Sequence, residues 1–148
     1  MIDLPKDALR IPLASQLIRG NVLRTEFIFS QGPLFKRLIL LNNNFSEDDI
    51  YYIHTTSQVG IYKRNKDHPA FKGNFIYLLK GQTPFNSNEN MVIDCREVRS
   101  IKKEKLLENY KNKMLNFLGI MPNEIMTNVD SIIVASILIS REIKSHVI

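Results

Sequence analysis

Cysteine is almost missing from this chain of 148 residues: Cys95 stands alone, so neither an internal disulfide nor a multi-cysteine zinc site can form. No apolar run reaches the roughly 20 residues that a bilayer-crossing helix needs. The most apolar stretch, Ser131 to Ser140 (SIIVASILIS), is half as long, and the first residues, with Asp3, Pro5, Lys6 and Asp7, lack an apolar signal core. The reading is a cytoplasmic protein with no membrane partner. Familiar catalytic signatures are missing as well: there is no phosphate loop, HExxH, GxSxG or Asp/His cluster with metal spacing, and His54, His68 and His146 lie far apart. No metal and no cofactor are therefore expected. With 44% hydrophobic and 24% charged residues, the composition argues against disordered, collagen-like and disulfide-scaffold classes.

What is present fits one domain over residues 1–148, since a chain of this size buries roughly 70% of its unfolded surface. The formal charge is +5, and its placement is uneven. Residues 1–49 balance, whereas 63–80 carry Lys63, Arg64, Lys66, Lys72 and Lys80 against Asp67 alone, a net +4. Residues 96–113 are again net +4, and 114–148 are net −1. Two basic segments near Tyr62, Phe71, Phe75 and Tyr77 suit a nucleic-acid strand, whose phosphates take Lys and Arg and whose bases stack on exposed rings. A solvated loop and a solvated helix face explain the same charges.

Pro5 and Pro12 break any long helix at the start, and residues 1–18 read as an arm. Strand patterns follow at Asn21–Ser30, Lys36–Leu41, Ile50–Ser57 and Phe75–Leu79, with two short strands at Met91–Cys95 and Val98–Ile101. The run KRLILL, continuously apolar after two charges, suits a strand buried on both faces. Gly60–Asn74 and Gln82–Asn90 read as loops. Leu106, Leu107, Tyr110, Met114 and Leu118 predict a helix over Lys103–Leu118, ended by Gly119 as a C-cap. Ile125, Val129, Ile132, Ile133 and Ile137 predict a second over Asn123–Lys144. The expected fold is mostly β: a small antiparallel β-barrel over 19–101 packed against C-terminal helices over 102–148.

One constellation carries possible chemistry. Lys36 and Arg37 open one strand, and His54, Thr55, Thr56, Ser57 and Gln58 end a later one. Alternation puts His54 and Thr56 on one face, Thr55 and Ser57 on the other. Metal-free RNA cleavage needs a proton acceptor for the ribose hydroxyl, a proton for the leaving oxygen, and cations or hydroxyls for the phosphorane. Strand-edge charges and β-propensity account for the same residues without chemistry. Cys95, inside a predicted strand, reads as a packing residue.

The order of elements resembles the PemK/MazF family of toxin endoribonucleases. Arg19-Gly20-Asn21-Val22 leads into a strand, KRLILLNNN follows a loop, the next strand ends TTSQ, and VIDCREVRSIKKEKL precedes LGIMPNEIMTNVDSIIVASILIS. The similarity covers Arg19 to Ser140. It implies an SH3-like barrel, a homodimer, metal-independent cutting of single-stranded RNA, and inhibition by an antitoxin protein. The family's Arg, which opens its second long strand, falls on Lys36, and Arg37 stands where the family has Pro. Its Thr falls on Thr56. Ser30 and Gln31, in the loop after the first strand, would touch the RNA backbone, as would Ser57 and Gln58. His54, on the face of Thr56, is a candidate general base. A catalytically silent barrel that binds nucleic acid or protein, and a gyrase-inhibiting toxin of the same fold, are the competing expectations.

Overall fold

The computed structural model describes residues 15–29 and 32–148. Strands β1 (Asn21–Phe29), β2 (Gly32–Leu40) and β3 (Asp49–Thr56) are followed by a short helix α1 (Gly60–Arg64), strand β4 (Phe75–Leu78) and strand β5 (Met91–Lys102). Helix α2 (Lys103–Lys111), strand β6 (Leu115–Ile120) and helices α3 (Asn123–Ala135) and α4 (Arg141–Val147) complete the chain. The six strands form one antiparallel sheet in the order β4-β5-β3-β2-β1-β6, with β4 and β6 at its edges. The architecture is mostly β with C-terminal helices.

Both faces of the sheet centre are covered. Leu38, Ile39, Leu40 and Leu41 are all fully buried, which is why that stretch of sequence is apolar without alternation. Leu38 and Leu40 pack with Leu23, Ile50 and Tyr52 under Leu106 and Leu107 of α2. Ile39 and Leu41 pack with Val22, Ile53 and Ile93 under Ile125, Val129 and Ile133 of α3 and Val147 of α4. Cys95 is in this second cluster, and burial pushes its thiol up to about 12, which leaves it unreactive.

Five expectations are corrected. Lys36 and Arg37 do not open their strand: β2 begins at Gly32, and pairing with β1 carries it back through Leu34 and Phe35. The helix predicted over Lys103–Leu118 stops at Lys111; Lys113 turns the chain with φ 60°, and Leu115–Ile120 becomes a strand on β1. Met114 and Leu118, two of the five residues of the helical pattern, are 40% and 41% exposed. Gly119 is thus no helix cap. It lies within β6 at φ 134°, where a Cβ would come within 3.2 Å of the Phe85 ring. The second predicted helix is broken between Ala135 and Arg141. There the Ser136 hydroxyl accepts from the Leu138 N–H, the Ser140 hydroxyl accepts from the Ile143 N–H as the cap of α4, and Ile137 is 98% exposed. The two short strands predicted at Met91–Cys95 and Val98–Ile101 are one strand, β5, with a bulge that sets residues 95–98 against Ile53 alone: Tyr52 pairs with Arg99, but His54 pairs with Asp94. The loop expected over Gly60–Asn74 contains α1, and Tyr62 in it is buried instead of exposed for stacking. The arm residues 1–14, and Ser30 and Gln31, lie outside the described residues.

Candidate functional site

Strand register decides which of the singled-out residues meet. Leu38 of β2 pairs with His54 of β3, and Arg37 pairs with Thr55. Side chains alternate between faces, so Lys36, Leu38, His54 and Thr56 share one face while Arg37 and Thr55 share the other. Leu38 anchors that first face in the core. Beyond it the sheet runs out from under α2, and Lys36, His54 and Thr56 line an open cleft of about 320 Å³ together with Thr55 and Gln58. Lys36 and Arg37, neighbours in sequence, are therefore not equivalent. Arg37 donates to the Phe85 carbonyl at 3.2 Å and stands 3.8 Å from Glu89.

The hydroxyl of Thr56 accepts the Gln58 N–H at 3.1 Å, a local turn that fixes its rotamer and leaves its own proton to donate outward. Ser57 and Gln58 are exposed; Gln58 forms the lip of the cleft with the start of α1, and Ser57 lines the adjoining pocket on the other side of Thr56. His54 is half-buried, with the Tyr52 ring edge-on at 6.0 Å. Burial first, then the positive charges of Arg99 and Lys36, hold its imidazole below the ordinary 6.5, against an upward pull from Asp94. It is a neutral base near pH 7.

Four residues form the far wall: Tyr62, Asp94, Arg96 and Arg99. Tyr62 and the basic segment from Arg96 stood out in the sequence as suiting a nucleic-acid strand, but their place beside His54 did not, and Asp94 was not singled out. Arg96 grips Asp94 through Nε at 3.0 Å and Nη2 at 2.8 Å, while the Tyr62 hydroxyl donates to the same carboxylate at 2.8 Å. Burial alone would raise Asp94, but these hydrogen bonds outweigh it and hold the carboxyl below its ordinary value. Burial and the bond to Asp94 push the Tyr62 phenol up to about 12, so it keeps its proton. Arg96 also lies 4.1 Å over the Phe71 ring, and Tyr62 meets Phe71 and Phe75 edge-on. The aromatic and basic residues around 62–75 thus brace the wall of the cleft. The bulge in β5 turns Arg96 and Arg99 toward His54; a bulge leaves no periodic trace in sequence, and only the density of charge in REVR hinted at it.

The arrangement combines a neutral base, an ammonium, a hydroxyl donor and two guanidinium groups around one opening. It suits proton transfer beside an anion. Among the described residues, no three His, Cys, Asp or Glu side chains gather as a metal site requires, and no helix is long and apolar enough to cross a membrane. No family model and no curated protein matches the chain.

Proposed function

We propose that this protein is an endoribonuclease that cuts single-stranded RNA without a metal ion. The observation that carries the reading is the convergence of Lys36, His54 and Thr56 on one sheet face at one cleft. Neutral His54 takes the proton of a ribose 2′-hydroxyl, whose oxygen then attacks the adjacent phosphorus. Lys36 and the Thr56 hydroxyl balance the charge that gathers on the phosphorane oxygens, the strongest lever such a site has. The leaving 5′-oxygen takes its proton from water admitted by the open cleft. The products are an upstream fragment ending in a cyclic phosphate and a downstream fragment with a free 5′-hydroxyl.

The resemblance to PemK/MazF toxins supports this reading and extends it. It adds closure of the sheet into an SH3-like barrel, a homodimer, a cytoplasmic setting and an antitoxin protein as inhibitor. Lys36 in place of the family's Arg supplies a point charge without the planar fork that grips two oxygens, so slower cutting is expected than an Arg would give. Arg37 lies on the other face of the sheet, which supports giving that role to Lys36.

The test is single-turnover cleavage by Lys36→Ala, His54→Gln and Thr56→Ala, with circular dichroism to verify the fold. Each is expected to lose cutting by about 100-fold or more, the scale on which acid–base and charge-stabilising groups act. Wild-type rates in all three would refute the site. RNA left intact by a well-folded wild-type protein would favour a binding module or a gyrase-directed toxin.

A further inference from the structure

The face opposite His54 carries side chains that the proposed reaction does not use. Arg24 of β1, Arg37 of β2 and Thr55 of β3 form a continuous row across three strands, Arg24 opposite Arg37 and Arg37 opposite Thr55. Directly opposed side chains in an antiparallel pair stand about 5 Å apart at Cβ, where like charges destabilise the sheet. Glu89, 3.8 Å from Arg37, offsets one of the two charges. Arg24 is exposed; it stacks 4.1 Å over the Phe35 ring and has no acidic partner among the described residues. At the end of the row, Thr55 is 7% exposed, and its hydroxyl oxygen is buried without a hydrogen-bond partner among the described residues. Such an orphan costs about 1–3 kcal/mol unless something satisfies it. Arg24, Phe35, Arg37 and Thr55 line one pocket of about 250 Å³, and it adjoins the His54 cleft: Lys36, Thr55, Thr56 and Gln58 line both.

We propose that this pocket binds a phosphate group, held between the Arg24 and Arg37 guanidinium groups and the Thr55 hydroxyl. An anion there relieves the repulsion between the two arginines and gives the Thr55 oxygen its missing partner. Its identity rests on the endoribonuclease reading: a strand whose scissile phosphate lies at Lys36, His54 and Thr56 passes the end of β3 and sets a flanking backbone phosphate in the row behind. The site contributes grip and register, not bond breaking.

The experiment measures binding of a 2′-deoxy oligonucleotide, which lacks the attacking hydroxyl, and amide shifts on titration with inorganic phosphate. Cleavage of the matching RNA runs in parallel. The proteins are wild type, Arg24→Gln, Thr55→Val and, as a charge control away from the pocket, Arg141→Gln. Expected is a Kd for the oligonucleotide weakened about tenfold by Arg24→Gln and severalfold by Thr55→Val. The salt slope should drop by about 0.7 in Arg24→Gln. In cleavage the loss in Arg24→Gln, a residue outside the His54 cleft, falls on KM, with kcat held. Unchanged affinity in both pocket variants, or equal weakening by Arg141→Gln, overturns the subsite even if wild type cuts RNA. If wild type leaves RNA intact while inorganic phosphate shifts Arg24, Arg37 and Thr55 in wild type but not in Arg24→Gln, the phosphate pocket stands and the nuclease reading falls. An effect on the oligonucleotide with no shift by inorganic phosphate assigns the group to the strand.

Discussion

A half-buried imidazole facing two cations binds its proton weakly, and at the residue scale this determines how His54 behaves with pH. Arg99 and Lys36 both push its proton off. Under the endoribonuclease reading, the acid limb of kcat/KM should therefore have its midpoint below 6.5, so that the base is fully available at neutral pH. Arg99→Gln removes the larger of the two charges and should move that midpoint upward; a limb that stays put would show that Arg99 does not act on His54. Stability follows the same sign. Because the folded protein binds the His54 proton less readily than the unfolded chain, stability falls as pH drops from 6.5 toward the folded value, and His54→Gln should flatten that part of a denaturation series. Asp94 behaves as a depressed carboxylate. Its contribution is intact above the ordinary carboxylate value near 3.8 and is lost only as pH falls further through its folded value. Alternation in the sequence was enough to put His54 and Thr56 on one face, and register then separated Lys36 from Arg37. Asp94, Arg96 and Arg99 were not legible, because their positions depend on how many residues of β5 loop out between two paired positions of β3.

Elements were legible where one periodicity governed them. β1 and β3 alternate or run apolar between turn residues, and each is found close to its expected bounds. The stretch after α2 carries two periods at once: Leu115 and Phe117 alternate as a strand requires, while Met114 and Leu118 complete a helical stripe. Pairing with β1 wins because Leu115 is buried with Leu23 and Leu106, and Phe117 packs against that cluster. Gly119 then has a task that a helix cap would not give it, a positive φ under the Phe85 ring. Gly119→Ala should destabilise the protein by more than about 1 kcal/mol, read from the urea midpoint, since both backbone strain and the ring oppose the methyl. No change in the midpoint would mean that the β6 edge relaxes freely. The break at Ser136–Ser140 was hidden by its own apolar residues, of which Ile137 and Leu138 are exposed while Ile139 joins the core.

At the scale of the whole molecule, two core clusters on either side of one sheet leave the first half of β2 and the end of β3 uncovered, and positive charge collects there. Arg24, Lys36, Arg37, Arg96 and Arg99 all line the two adjoining openings. Affinity for single-stranded RNA should accordingly fall steeply with salt, by about 0.7 in log–log slope for each phosphate engaged. A salt-independent Kd would place the RNA contact elsewhere. The apolar centre that supports these ends is sensitive in the ordinary way. Leu38→Ala, directly beside His54, should cost about 2–5 kcal/mol in a urea titration.

The most direct test incubates purified protein with a long single-stranded RNA in EDTA and maps the fragment ends. The account predicts discrete cuts, upstream fragments ending in cyclic phosphate and downstream fragments with 5′-hydroxyls, all lost in His54→Gln and Thr56→Ala. Intact RNA with the folded wild-type protein, or cuts that persist in both variants, would contradict it.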